Sequence, residues 1–145
     1  MQVPTSNLLK PVECLEQAIN APVLGREQQW AQAVAAALVE LEQALRQHCA
    51  DAATPEGVFA EVDRNRRGLV RQVVELWGEL DELLRKTAQL KGPAECRAWL
   101  REHCAVGLAT LAERASELAR GVHRLLDGEV DVVMESVNMD LGAGD

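Results

Sequence analysis

Apolar residues recur along this chain in steps of four and three. The clearest row is Trp30, Val34, Leu38, Leu41, Leu45, His48 and Ala52, a spacing that gathers them on one face of a helix and turns the His48 imidazole inward with the leucines. A second row runs through Leu69, Val73, Leu76, Leu80 and Leu83. A third takes in Leu100, Cys104, Leu108, Leu111, Ala115, Leu118, Val122, Leu125, Glu129 and Val132. Glu129 is the charged member of an otherwise apolar row.

Helix punctuation places the ends of these rows. Ser6 or Asn7 is expected to cap a short first helix over 7–20, with Pro11 tolerated in its first turn, and Ala21-Pro22 to close it. The second helix should span 26–51 and stop at the turn Thr54-Pro55-Glu56-Gly57. A third should begin near 58, be interrupted at Arg64-Asn65-Arg66-Arg67-Gly68, and continue as a long helix to Lys91-Gly92-Pro93, where a basic last turn, Gly and Pro stand in stop order. The last is expected from about 94, releasing the chain into a flexible acidic tail over 138–145. Breaks are thus predicted at 21–25, 53–57 and 91–93.

The predicted fold is all-α: an up-down antiparallel four-helix bundle in a single domain, 1–145, with an N-terminal helix and its lead-in over 1–22 followed by three long helices. The same rows also suit an extended helical hairpin that completes its core by dimerising. Ala31, Ala35, Ala36, Ala37, Ala44 and Ala105 favour the closed bundle, because small side chains on more than one face let helices approach closely.

Composition supports helices over strands, with one Phe and no Tyr in 145 residues. A chain of this length buries a core without metal or disulfide. Fifteen Lys and Arg stand against 23 Asp and Glu, and the net charge of -8 repels phosphate backbones and anionic lipid. Neither nucleic acid nor a membrane is an expected partner. The opening MQVPTSNLLKPVECLEQ has no basic region followed by an apolar run, and no stretch approaches the roughly 18 apolar residues of a membrane span. The expected location is the cytoplasm, with Cys14, Cys49, Cys96 and Cys104 as free thiols.

Candidate chemistry is sparse. There is no nucleophile elbow, no glycine-rich phosphate loop and no H-E-x-x-H, so no catalytic residue is assigned and the chain does not read as an enzyme. Bundle interiors hold metals when His and carboxylates from facing helices meet at one height. His48 lies on a row, where a core-edge imidazole is the plain reading. His123 adjoins Val122 and has Asp127 one turn on, most simply an exposed pair. His103, with Cys96 and Trp99, looks like packing. If the chain reverses near 55 and again near 92, His48 and His123 share a layer with Glu61, Asp127 and Glu129 nearby. The residual metal candidates are therefore His48, His123, Asp127 and Glu129. Glu40, Glu42, Glu79, Asp81, Glu113 and Glu117 read as solvated faces.

The segment QAVAAALVELEQALRQHCADAATPEGVFAEVDRNRRGLVRQVVELWGEL, preceded by Trp30, resembles the bacterial hemerythrin-like domains: a helix of the form W…L..L…L..H, a Pro/Gly turn, then a G(L/V)…EV opening. The closing DVVMESVNMDLGAGD resembles their tail, with its Asp-aliphatic-Gly-x-x-Asp ending. The resemblance covers about three quarters of the chain. It implies a four-helix bundle whose functional members hold a diiron centre and handle oxygen or redox chemistry.

This chain departs from that pattern at the ligands. His48 matches the family histidine, but Ala52 and Ala53 stand where a carboxylate is expected. The Glu-His pair of the next helix is Glu79-Leu80, and the histidine expected four before Glu129 is Leu125. His123 falls two positions earlier than that. The resemblance therefore implies a degenerate member with no cofactor and no metal, acting through protein interaction or self-association, with Trp77 and Trp99 as candidate anchors. The alternative it leaves is a residual iron protein in oxygen or redox handling.

Overall fold

The computed structural model describes residues 8–52, 67–95 and 105–143, with side chains at 8–51, 70–91 and 107–135. Within these, the chain forms four helices and no strand: α1 (Leu9–Asn20), α2 (Glu27–Ala52), α3 (Arg67–Glu95) and α4 (Ala105–Ala143). Each packs on two others, α1 on α2 and α4, and α3 likewise on α2 and α4, so the four close a ring around one core. No described helix is long and apolar enough to cross a membrane.

The described parts of the three rows make up the core, with Val73 partly buried against it, while the side chains of Ala52, Leu69, Leu100 and Cys104 lie outside the described residues. On α2, Trp30, Val34, Leu38, Leu41, Leu45 and His48 are all buried, with Ala31, Ala35 and Ala37 beside them, while Ala36 faces solvent. From α3 come Leu76, Leu80, Leu83 and Leu90, and from α4 the row from Leu108 to Val132, Glu129 included. α1 adds Val12 and Leu15, joined by Leu8 just ahead of it. Thr87 is also fully buried, and its hydroxyl donates to the Leu83 carbonyl at 2.6 Å, so its polar group is satisfied inside its own helix.

The α1–α2 connection is built from local chemistry. Ala21, at φ -66° and ψ 151°, is extended, as a residue before proline prefers, and this ends α1. Gly25 turns the chain at φ +74°, a conformation that costs a residue without a Cβ little. The Trp30 indole then donates from Nε1 to the Ile19 carbonyl at 3.1 Å, satisfying one of the carbonyls that the end of a helix leaves without a partner. At the other end of α1, Leu8 occupies the cap position with no side-chain cap bond, and Ser6 and Asn7 lie outside the described residues. Pro11 sits in the first turn as expected, where its missing N–H costs nothing.

Three expected boundaries differ. α3 does not stop at Lys91-Gly92-Pro93 but runs to Glu95. Pro93 removes one donor, toward the carbonyl of exposed Gln89, which water can satisfy, and only two residues follow it in the helix. The last helix accordingly does not begin near 94, because 94 and 95 belong to α3. At the other end the chain does not leave the helix at 138: α4 continues to Ala143. Asn138 and Gly142 each weaken a helix by about 1 kcal/mol or less, which does not stop one already nucleated over many turns. The expected turn at 54–57 and the interruption at 64–66 lie outside the described residues, whereas Arg67 and Gly68 are helical.

Two glycines set the α3–α4 contact. A Cβ at Gly128 would lie 2.7 Å from Leu76 Cδ2, and one at Gly121 would lie 2.8 Å from Leu83 Cδ2. Seven residues up α3 thus correspond to seven residues down α4, and the two helices run in opposite senses at a distance that only glycine allows.

Candidate functional site: a buried histidine–glutamate pair

His48 sits near the C-terminal end of α2 because its row turns it inward, and Glu129 sits inward on α4 for the same reason. They meet. The His48 Nε2–H donates to the Glu129 carboxylate, at 2.7 Å from Oε1 and 3.0 Å from Oε2. Glu129 is fully buried and His48 is 7% exposed. In the ring of helices α2 and α4 stand diagonally, and the pair ties them through the core.

The other candidates go elsewhere. His123 does not join His48. Its Nε2 lies 2.7 Å from Glu16 Oε1 of α1, with both side chains a little under half exposed. Six residues separate 123 from 129, about 9 Å along a helix axis, so the two imidazoles occupy different layers. Asp127 is exposed on the outside of α4, as is Glu79 on α3. Glu61 and Ala53 lie outside the described residues, as do Trp99, His103, Cys96 and Cys104, and nothing of the Ala52 side chain is described. Trp77 is partly buried and packs against the core. Cys14 and Cys49 are free thiols.

The donors among the described residues do not assemble a diiron centre. His48 and Glu129 bond to each other, and among the described residues no group of three or more His, Cys, Asp or Glu is arranged to hold a metal ion. Leu80 and Leu125 are 1% and 0% exposed.

A second buried carboxylate was read from the sequence as solvated. Glu42, 8% exposed, has Lys91 Nζ of α3 at 3.0 Å from Oε2 and Arg46 of its own helix at 3.1 Å from Oε1. The Lys91 ammonium, more than the Arg46 guanidinium, holds the Glu42 carboxyl below its ordinary range against the opposing effect of burial. The basic residue that looked like a helix stop is therefore also a tie between α2 and α3. Glu16, the partner of His123, and Lys91, the partner of Glu42, carried no signal in periodicity, because both pairings depend on the register between helices. Gly121 and Gly128 did carry one: they are seven residues apart on a helix, facing leucines that are also seven apart. Against this geometry, comparison with family models, with curated proteins and with solved structures finds no match.

Proposed function

We propose that this chain is a non-catalytic, up-down antiparallel helical bundle of hemerythrin-like descent, working in the cytoplasm through protein contact or self-association, in which the position of the diiron site has become ordinary core. The observation that carries this reading is the direct His48–Glu129 bond: the one buried imidazole and the one fully buried carboxylate among the described residues are bonded to each other instead of presenting free lone pairs to a cation. Leucines stand at the neighbouring ligand positions of the resembled family, and an isobutyl group cannot donate to iron.

The test is elemental analysis of protein purified without a histidine tag, together with thermal unfolding in the presence and absence of a strong chelator. The expected protein is colourless, holds well under one iron per chain, and melts at the same temperature in both conditions. Two irons per chain with a visible oxo-bridge absorption band would overturn the reading and restore oxygen or redox handling. In that case His48 and Glu129 would have to separate to bind metal, and His48→Ala would abolish the colour.

A further inference from the structure

Beside its apolar row, α4 carries a second row at the same spacing: Thr110, Arg114, Glu117, Gly121 and Arg124. This row faces α3 across a groove of about 700 Å³, within the range of small-molecule sites. The groove lies next to the tight crossing where Leu83 covers Gly121. Four of its lining residues are cationic, Lys86 from α3 with Arg114, Arg120 and Arg124 from α4, and one, Glu117, is acidic. Lys86 is shared with Glu82 at 3.5 Å, whereas no carboxylate among the described residues engages any of the three arginines. On a chain whose net charge is -8, this is a local reversal of sign.

We propose that the α3–α4 groove binds a small, multiply charged anion, a phosphorylated metabolite or a polycarboxylate. Guanidinium groups suit such ligands because their planar fork donates two parallel hydrogen bonds to phosphate or carboxylate oxygens. Arg114 and Arg124 are about 15 Å apart along the helix axis, a span that two extended guanidinium arms can close upon one compact anion. Lys86 and Arg120 add charge between them, and Gln89 supplies a neutral amide on the α3 side. The groove's leucines favour this ligand over a docked helix. Leu83, Leu90, Leu111 and Leu118 are at most 8% exposed, so the leucines of the floor are already packed into the core and not left open to a partner's anchors. The three arginines of the rim are what remains without a carboxylate among the described residues.

The test is calorimetric titration of the whole chain with inorganic triphosphate and, separately, with citrate, against sodium chloride at matched ionic strength. One-to-one saturable binding of triphosphate is expected, weakened roughly tenfold or more in Arg114→Gln and in Arg124→Gln. Arg71→Gln, an exposed position of α3 outside the groove, should bind as the parent does. Circular dichroism melts of each variant check that the fold is kept. Binding of citrate with the same dependence on Arg114 and Arg124 would assign the site to carboxylates rather than phosphates. The proposal is overturned if neither anion saturates, if sodium chloride reproduces the effect, or if all three variants bind like the parent. None of these outcomes depends on whether the chain holds iron.

Discussion

His48 and Glu129 are held by each other, and the energetic sign of such a pair depends on which partner is removed. His48→Ala leaves a fully buried carboxylate without its donor, and breaking a buried pair in this way costs about 3–5 kcal/mol. Glu129→Leu leaves an imidazole that can stay neutral at the core edge, so its cost should be smaller. His48→Leu with Glu129→Leu removes both desolvated groups and restores two apolar side chains to the rows that carry them, and should lose much less than the two single changes added together. Urea denaturation of the four proteins measures the coupling; strict additivity would show that the 2.7 Å contact contributes nothing. Glu42 gives a different signature, in pH. Its carboxyl is held below the ordinary value of 4.5 in the folded chain, chiefly by Lys91, so folding gains stability from it above that value and loses it as pH falls through the lowered one. Stability followed by urea titration should therefore decline in the acid range below about 4.5. Lys91→Met should flatten that decline while lowering stability at neutral pH. An unchanged acid limb in Lys91→Met would place the effect elsewhere.

At the scale of helices, three glycines of α3 and α4, Gly78, Gly121 and Gly128, make opposed predictions. In an exposed helix interior Gly→Ala gains about 1 kcal/mol from backbone entropy, and Gly78, with nothing within 4 Å of its missing Cβ, should show that gain. Gly121→Ala and Gly128→Ala meet Leu83 and Leu76 at 2.8 and 2.7 Å, and overpacking of this kind typically costs about 1–3 kcal/mol. Leu83→Ala in the Gly121→Ala background should recover part of the loss, which melting temperatures of the single and double variants will show. Stabilisation at all three glycines would mean that α3 and α4 are free to move apart. The rows themselves were legible in the sequence because burial enforces a period, and the inward residues from Trp30 to His48 and from Leu108 to Val132 are those the spacing selects. Heights were not legible. The Leu76–Gly128 and Leu83–Gly121 contacts are centred on residue 102, whereas the expected reversal was near 92, because Gly92-Pro93 reads as a stop and the helix continues past it. That displacement changes which residues of α4 stand level with α2, and His123 pairs with Glu16 instead of sharing a layer with His48.

For the molecule as a whole, α1 decides whether the three long helices form a closed object. It is 12 residues long, too short to be stable alone in water, so its helicity depends on what it covers. Val12 and Leu15 are fully buried, Ile19 accepts the Trp30 indole, and Glu16 reaches His123, so α1 closes the side of the core between α2 and α4. A hairpin that completes its core by dimerising would use α1 differently, and one substitution separates the two architectures. Leu15→Asp places a carboxylate at a fully buried position among apolar side chains, a burial that a closed bundle cannot accommodate. α1 should then detach, exposing the apolar faces of α2 and α4. The expected result is a melting temperature lowered by many degrees, binding of a hydrophobic dye, and concentration-dependent self-association by light scattering through the uncovered face. Leu24→Asp, at a residue 94% exposed in the α1–α2 connection, should change none of these and serves as the matched control. If Leu15→Asp melts like the parent and stays monodisperse, α1 is not a wall of the core and the closed ring of four helices is not the state in solution.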